Sequence, residues 1–111
     1  SALKTVACSY NALTALDVSG SEKLTTLECS ANHLTALDLS GHKMLKVLTC
    51  SLNSLTKLDL TGCTALESLD CSGNALTALD LSYNGALEYL GVNDNPITEL
   101  NLHPLSNLQE L

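Results

Sequence analysis

Apolar residues recur along this chain in the spacing Leu-x-x-Leu-x-Cys/Leu, and the whole arrangement returns every 21 residues without slipping. Units begin at Leu3, Leu24, Leu45, Leu66 and Leu87, and another begins at Leu108. The fourth position of each unit is Val6, Leu27, Leu48, Leu69 and Leu90, and the sixth is Cys8, Cys29, Cys50, Cys71 and then Val92. The ninth is Asn11, Asn32, Asn53, Asn74 and Asn95, and the eleventh is Leu13, Leu34, Leu55, Leu76 and Ile97. In-and-out alternation at the end of Leu-x-x-Leu-x-Cys predicts a short strand with one buried face. No stretch between these strands has the length or periodicity of a three-turn helix.

Each unit contains a weaker copy of itself. Leu13-x-x-Leu16-x-Val18 repeats the spacing of Leu3-x-x-Val6-x-Cys8, with offsets of 10 and then 11 residues. In the second copy the slot matching the Asn holds Ser21, His42, Cys63, Asn84 and Leu105. Repeats this short cannot bury their leucines alone and must stack. The expectation is therefore one solenoid over residues 1–111. It comprises five repeats (3–23, 24–44, 45–65, 66–86 and 87–107) and an incomplete sixth (108–111). Parallel strands from successive coils would pair at ~4.8 Å, with a second short strand or a turn on the opposite side and few or no helices.

Composition narrows this further. Leucine fills 26 of the 111 positions, while aromatics amount to three Tyr with no Phe or Trp. A core so poor in rings is not that of an ordinary sandwich or barrel, and a chain so apolar is not disordered. The formal charge of −7 opposes nucleic acid or an anionic membrane, both of which need basic patches. No apolar run reaches the ~18 residues of a membrane span, and no signal-peptide pattern opens the chain.

The repeated Leu-x-x-Leu-x-Cys-Ser-x-Asn followed by Leu-Thr-x-Leu-Asp-Leu-Ser resembles the leucine-rich repeat proteins. More narrowly it resembles the bacterial 21-residue, doubly nested (IRREKO-type) subclass, from Leu3 to Leu111. The stretch Asn95-Pro96-Ile97-Thr98-Glu99-Leu100 and the Pro104–Leu111 segment are similar to internalin repeats. The resemblance implies a curved, parallel-stranded solenoid used for protein binding, extracellular or on a bacterial surface, without catalysis and without a cofactor. Neither end shows the polar capping module of the family, so a piece of a longer protein, or self-association through uncapped ends, is expected.

The polar columns have structural roles available. A turn leaving the strand at the same point in each coil points N–H and C=O groups inward, and a buried Asn can bond those groups and its stacked neighbours. Asn11, Asn32, Asn53, Asn74 and Asn95 are expected to form such a ladder. Cys8, Cys29, Cys50 and Cys71 replace a core leucine, so they should pack as a column of small buried thiols. Their parallel side-chain directions oppose disulfides, and a straight ladder cannot surround a zinc ion. Cys63 beside His42 offers a metal two ligands at most, so no metal is expected. Asp17, Asp38, Asp59, Asp80 and Asn101 should face solvent in a row, where like charges raise some carboxyl pKa values unless backbone groups or the Thr14–Thr98 hydroxyls bond them. The glycine-rich calcium motif is absent. No pocket-forming carboxylate pair, Ser–His–Asp set or phosphate loop is present.

Function then falls to columns free of stacking constraint. Thr5, Thr26, Val47, Ser68 and Tyr89, and Ala7, Glu28, Thr49, Asp70 and Gly91, should face outward on the strand, with Tyr10, Ala31, Leu52, Gly73 and Asp94 just beyond. Tyr10, Glu28, Val47, Thr49, Leu52, Asp70 and Tyr89 make the candidate contact surface, an apolar strip with an acidic flank for a protein or cell-surface ligand. The alternative is a structural spacer or stalk with no specific ligand.

Overall fold

In the computed structural model, residues 4–18, 20–39, 41–98, 100 and 107–109 are described. Leu3, Glu99, Asn101, Pro104, Leu105 and Leu111 from the sequence reading lie outside them. Five strands of three residues each, β1 (Thr5–Ala7), β2 (Thr26–Glu28), β3 (Val47–Thr49), β4 (Ser68–Asp70) and β5 (Tyr89–Gly91), form one sheet in chain order. All pairs are parallel, and Val6, Leu27, Leu48, Leu69 and Leu90 stand opposite one another. The register is thus the 21-residue period itself. No residue among those described is helical, and the molecule extends over 34 × 26 × 19 Å.

The stack works because every coil presents the same inward columns. Leu24, Leu45, Leu66 and Leu87, Leu27 to Leu90, Leu34, Leu55 and Leu76, and Cys29, Cys50 and Cys71 are all fully buried. On the opposite side Leu39, Leu60 and Leu81 close the core, and Leu37, Leu58 and Leu79 sit at its margin. At ~1.5–3 kcal/mol for each buried aliphatic side chain, these columns supply most of the driving force. Val6, Cys8, Leu13 and Leu16 of the first coil are partly buried against the same core.

Beyond each strand the ladder continues through single bonds between coils, such as Cys29 N–H to Thr49 O at 2.8 Å and Ala31 N–H to Ser51 O at 2.9 Å. The opposite, return side is made of turns instead of a second continuous strand. Its coil-to-coil bonds are short where it begins, as between Ser54 N–H and Leu34 O at 2.8 Å, and lengthen beyond, as between Thr56 N–H and Thr35 O at 3.5 Å. The coil closes there through two consecutive turns that share a residue: Cys63 N–H bonds Leu60 O (3.0 Å) and Leu66 N–H bonds Cys63 O (3.3 Å). The same pair of bonds occurs at Ser21, His42 and Asn84.

Candidate functional site

Where the chain leaves the strand, the Asn column holds the corner. Asn53 donates from Nδ2 to Cys50 O and Ser51 O of its own coil (3.0 and 3.2 Å) and to Cys29 O of the preceding one (3.0 Å). Its Oδ1 accepts from Leu34 N–H at 3.1 Å. Asn32, Asn74 and Asn95 repeat this set one coil apart. Asn11 bonds Cys8 O and Ser9 O within its own coil. The column therefore does not bond Asn to Asn; Asn32, Asn53, Asn74 and Asn95 each tie two coils together through backbone groups.

A second ladder, of serines, lies beside it and was not foreseen. Ser51 donates its hydroxyl to Ser30 Oγ, and Ser30 N–H donates to Ser9 Oγ, both at 3.0 Å. The invariant Ser after each of the four column cysteines was the available signal.

The five cysteines are all free thiols. Burial, with help from Cys8, pushes Cys29 up to about 12, and burial with the Asp70 charge does the same for Cys71. Cys50 lies well above its ordinary value, chiefly through burial, and burial together with Asp59 brings Cys63 up to about 11. Cys8, in the half-covered first coil, is raised by burial too. Protonated, enclosed thiols are poor nucleophiles and poor metal ligands at neutral pH. His42 and Cys63 each reach a carbonyl of the preceding coil, Nε2 to Val18 O at 2.9 Å and Sγ to Leu39 O at 3.9 Å. Among the described residues no group of three or more His, Cys, Asp or Glu side chains could hold a metal.

In the aspartate row the backbone alternative holds for Asp59 and Asp80, and a nearby hydroxyl joins it. Asp80 accepts from the hydroxyl (2.6 Å) and N–H (3.0 Å) of Ser82, two residues on, and these bonds lower its pKa instead of raising it. Asp59 makes the same pair of bonds to Thr61 (2.8 and 3.1 Å). The partner is thus the residue two positions later and not the Thr14–Thr98 row. A local bond of this kind outweighs repulsion between exposed, water-screened neighbours.

The strand-side face carries the candidate contact residues at different degrees of exposure. Tyr10 is 83% exposed, Leu52 61% and Tyr89 37%. Glu28 is exposed too, whereas Val47, Thr49 and Asp70 are half-buried and Gly91 is buried. Tyr10 and Leu52 belong to a column whose every member has a left-handed backbone: Tyr10 (φ 61°), Ala31 (56°), Leu52 (57°), Gly73 (69°) and Asp94 (57°). Gly and Asp in that column were the legible sign of this conformation. Two further exposed apolar residues, Met44 and Tyr83, stand on return-side turns and belong to no contact column. All three tyrosines are thus surface residues.

An open return-side groove of about 310 Å³ is lined by Lys57, Leu58, Asp59, Thr61, Leu79 and Asp80. No helix among the described residues is long and apolar enough to cross a membrane.

A sheet whose register equals the sequence period, with an Asn and a Cys column along one edge, defines a leucine-rich repeat solenoid. A family model described as "Leucine Rich repeat" matches residues 30–45. Among solved structures, the chain is similar to the functional domain of InlJ from Listeria monocytogenes, described as including a cysteine ladder. The two share 30% identity with a TM-score of 0.63, over 96% of this chain and 33% of that one. This chain therefore spans about a third of the length of the InlJ domain that it matches. No curated protein matches the sequence. The chain is an internalin-like leucine-rich repeat protein.

Proposed function

We propose that the chain is a non-enzymatic protein-binding scaffold that meets its partner with the strand-side face, as part of a bacterial surface or secreted protein. The similarity to an internalin supports the compartment and the class of activity. The observation that carries the choice of face is the left-handed column. A left-handed backbone costs an ordinary L residue ~1–2 kcal/mol, and Gly relieves that strain. Yet Tyr10 and Leu52 occupy it while remaining mostly exposed, so neither side chain offsets the strain through the core. Tyr is a preferred contact anchor, and contiguous exposed apolar residues mark contact surfaces. Val47, Thr49, Glu28, Asp70 and Tyr89 extend the same face across the sheet.

The test is affinity capture from host-cell surface extracts with the wild-type chain, a Tyr10→Ser/Leu52→Ser/Tyr89→Ser variant and a Met44→Ser/Tyr83→Ser variant. A partner held by the wild type and the return-side variant, and lost from the strand-side variant, is expected. Equal retention by all three would move the contact elsewhere, and no specific partner for the wild type would favour a spacer.

A further inference from the structure

The two ends of the strand-side face differ in charge. All five lysines lie within residues 1–57, with four of the twelve carboxylates; residues 58–111 hold the other eight carboxylates and no Lys or Arg. On the face this divides Lys4 and Lys46, just ahead of β1 and β3, from Glu67 and Glu88, just ahead of β4 and β5. Asp70 closes β4, and Asp94 follows β5 on the left-handed column.

At the centre of the acidic end the buried Gly91 is covered by the side chains of its neighbours. A Cβ built on Gly91 would lie 2.9 Å from Asp70 Oδ1 and 3.2 Å from the Tyr89 hydroxyl oxygen, so a carboxylate and a phenol meet over bare backbone. Ser72 N–H donates to Asp70 Oδ1 at 3.1 Å and fixes the direction of the carboxylate. A carboxylate held beside a partly exposed ring, with further carboxylates around it and no Lys or Arg in that half of the chain, complements a guanidinium or ammonium group. The same set repels phosphates and acidic peptides.

We propose that this end of the unpartnered sheet face, centred on Asp70, Tyr89 and Gly91, docks a cationic segment of a partner polypeptide. An Arg or Lys side chain would sit with its charge on the Asp70 carboxylate and its plane or stem against the Tyr89 ring. Arg suits the site better, because its planar group can pair with a carboxylate and stack on a ring together. The proposal rests on the strand-side face being the contact surface, and adds the chemistry of what that face contacts.

The test is a titration of the ¹⁵N-labelled chain, followed through its amide resonances, with a short Gly/Ser peptide carrying two arginines. A second peptide carries citrulline, the neutral isostere, in their place. Saturable shifts are expected in the amides of residues 67–73 and 88–94. Affinity should weaken about tenfold with the citrulline peptide, with Asp70→Asn and with Tyr89→Ala, a tenfold change being about 1.4 kcal/mol. Asn at position 70 can still accept from Ser72, so the turn survives that exchange. Asp80→Asn removes the same charge from the return side and should alter affinity less than about twofold. Equal weakening by Asp80→Asn would overturn the proposal, because only a diffuse field would then be at work. Equal binding of the citrulline peptide would overturn the cationic specificity while leaving the strand-side face as the contact surface. Shifts confined to return-side amides, or no saturable shift with either peptide, would overturn both.

Discussion

Every coil turns two corners, and the two halves of the unit descend through the same spacing, yet the corners are held in different ways. At the strand-side corner the backbone groups of two coils converge on one side chain, and Asn32, Asn53, Asn74 and Asn95 each make four bonds there. At the return-side corner, paired backbone turns satisfy the chain locally, and the side chain in the equivalent slot adds one or two bonds to carbonyls. The lesson is that tolerance to substitution follows how much of the bonding hangs on a side chain. One column never varies, while the other accepts Ser21, His42, Cys63 and Asn84. The thiols follow suit: Cys29 and Cys71 beside the Asn corner are raised to about 12, but Cys63 at the return corner only to about 11.

The largest effect expected is alkaline destabilisation. Below pH 9.0, the ordinary thiol value, folded and unfolded chains both hold the proton and the column adds no slope. Between pH 9 and about 12 the unfolded chain releases protons that the folded one keeps, so stability falls as pH rises. The slope is about 1.4 kcal/mol per pH unit for each thiol. Cys29 and Cys71 together should therefore remove about 5–6 kcal/mol by pH 11, and Cys50 acts in the same direction. Urea denaturation from pH 8 to 11 measures this, and Cys71→Ala should flatten the curve. A level curve in the wild type would mean that neither corner seals its thiols from solvent, since Cys63 is raised as well.

Next in size is a direct contrast between two asparagines. Asn53→Ala strips one partner each from Cys29 O, Cys50 O, Ser51 O and Leu34 N–H. Leu34 N–H is left unpaired, at ~1–3 kcal/mol, whereas Cys29 O, Cys50 O and Ser51 O keep Asn32, Asn74 and Ala31 N–H as partners and lose ~0.5–1.5 kcal/mol each, so a loss of about 4 kcal/mol is expected. Asn84→Ala removes two bonds, to Leu60 O and Cys63 O, and also removes an Oδ1 that is buried without a partner. Removing that unpaired oxygen offsets part of the loss, leaving about 1 kcal/mol. Equal midpoint shifts in urea would break the distinction between the corners.

Most of the fold was legible because a solenoid writes its register into its period. The spacing of Leu27, Leu48, Leu69 and Leu90 is the strand alignment itself. The expected burial of the Asn and Cys columns is met in the middle of the stack, at Asn32, Asn53, Cys29, Cys50 and Cys71, whereas Asn74, Asn95 and Cys8 are half-buried and Asn11 is exposed. What escaped depended on backbone conformation and local geometry. The mixture Tyr10, Ala31, Leu52, Gly73 and Asp94 looked like freedom to vary, whereas the shared constraint there is a positive φ that side-chain identity barely records. In the aspartate row the backbone bond was legible and the hydroxyl two residues away, Ser82 for Asp80, was not. Tyr83 and Met44 were passed over because they sit in turns outside any alternating pattern. The contact surface was legible only as a set of exposed columns; that Asp70 and Tyr89 meet over Gly91 required coordinates.

The smallest effect expected concerns that left-handed column, and it separates stability from contact. Ala31, at φ 56°, bears the strain of a Cβ in a conformation that Gly adopts freely. Relief of ~1–2 kcal/mol is partly cancelled by the greater freedom of Gly in the unfolded chain, ~0.4–1 kcal/mol. Ala31→Gly should therefore stabilise the fold by about 0.5 kcal/mol, visible as a small rise in the urea midpoint. Leu52→Gly relieves the same strain, and with its side chain 61% exposed it gives up little burial beyond a contact with Gly73. It too should leave stability level or slightly raised, whereas capture of the partner should weaken. A clear loss of stability in Leu52→Gly would make that side chain part of the scaffold's packing. The difference between constrained and free columns would then have to be redrawn.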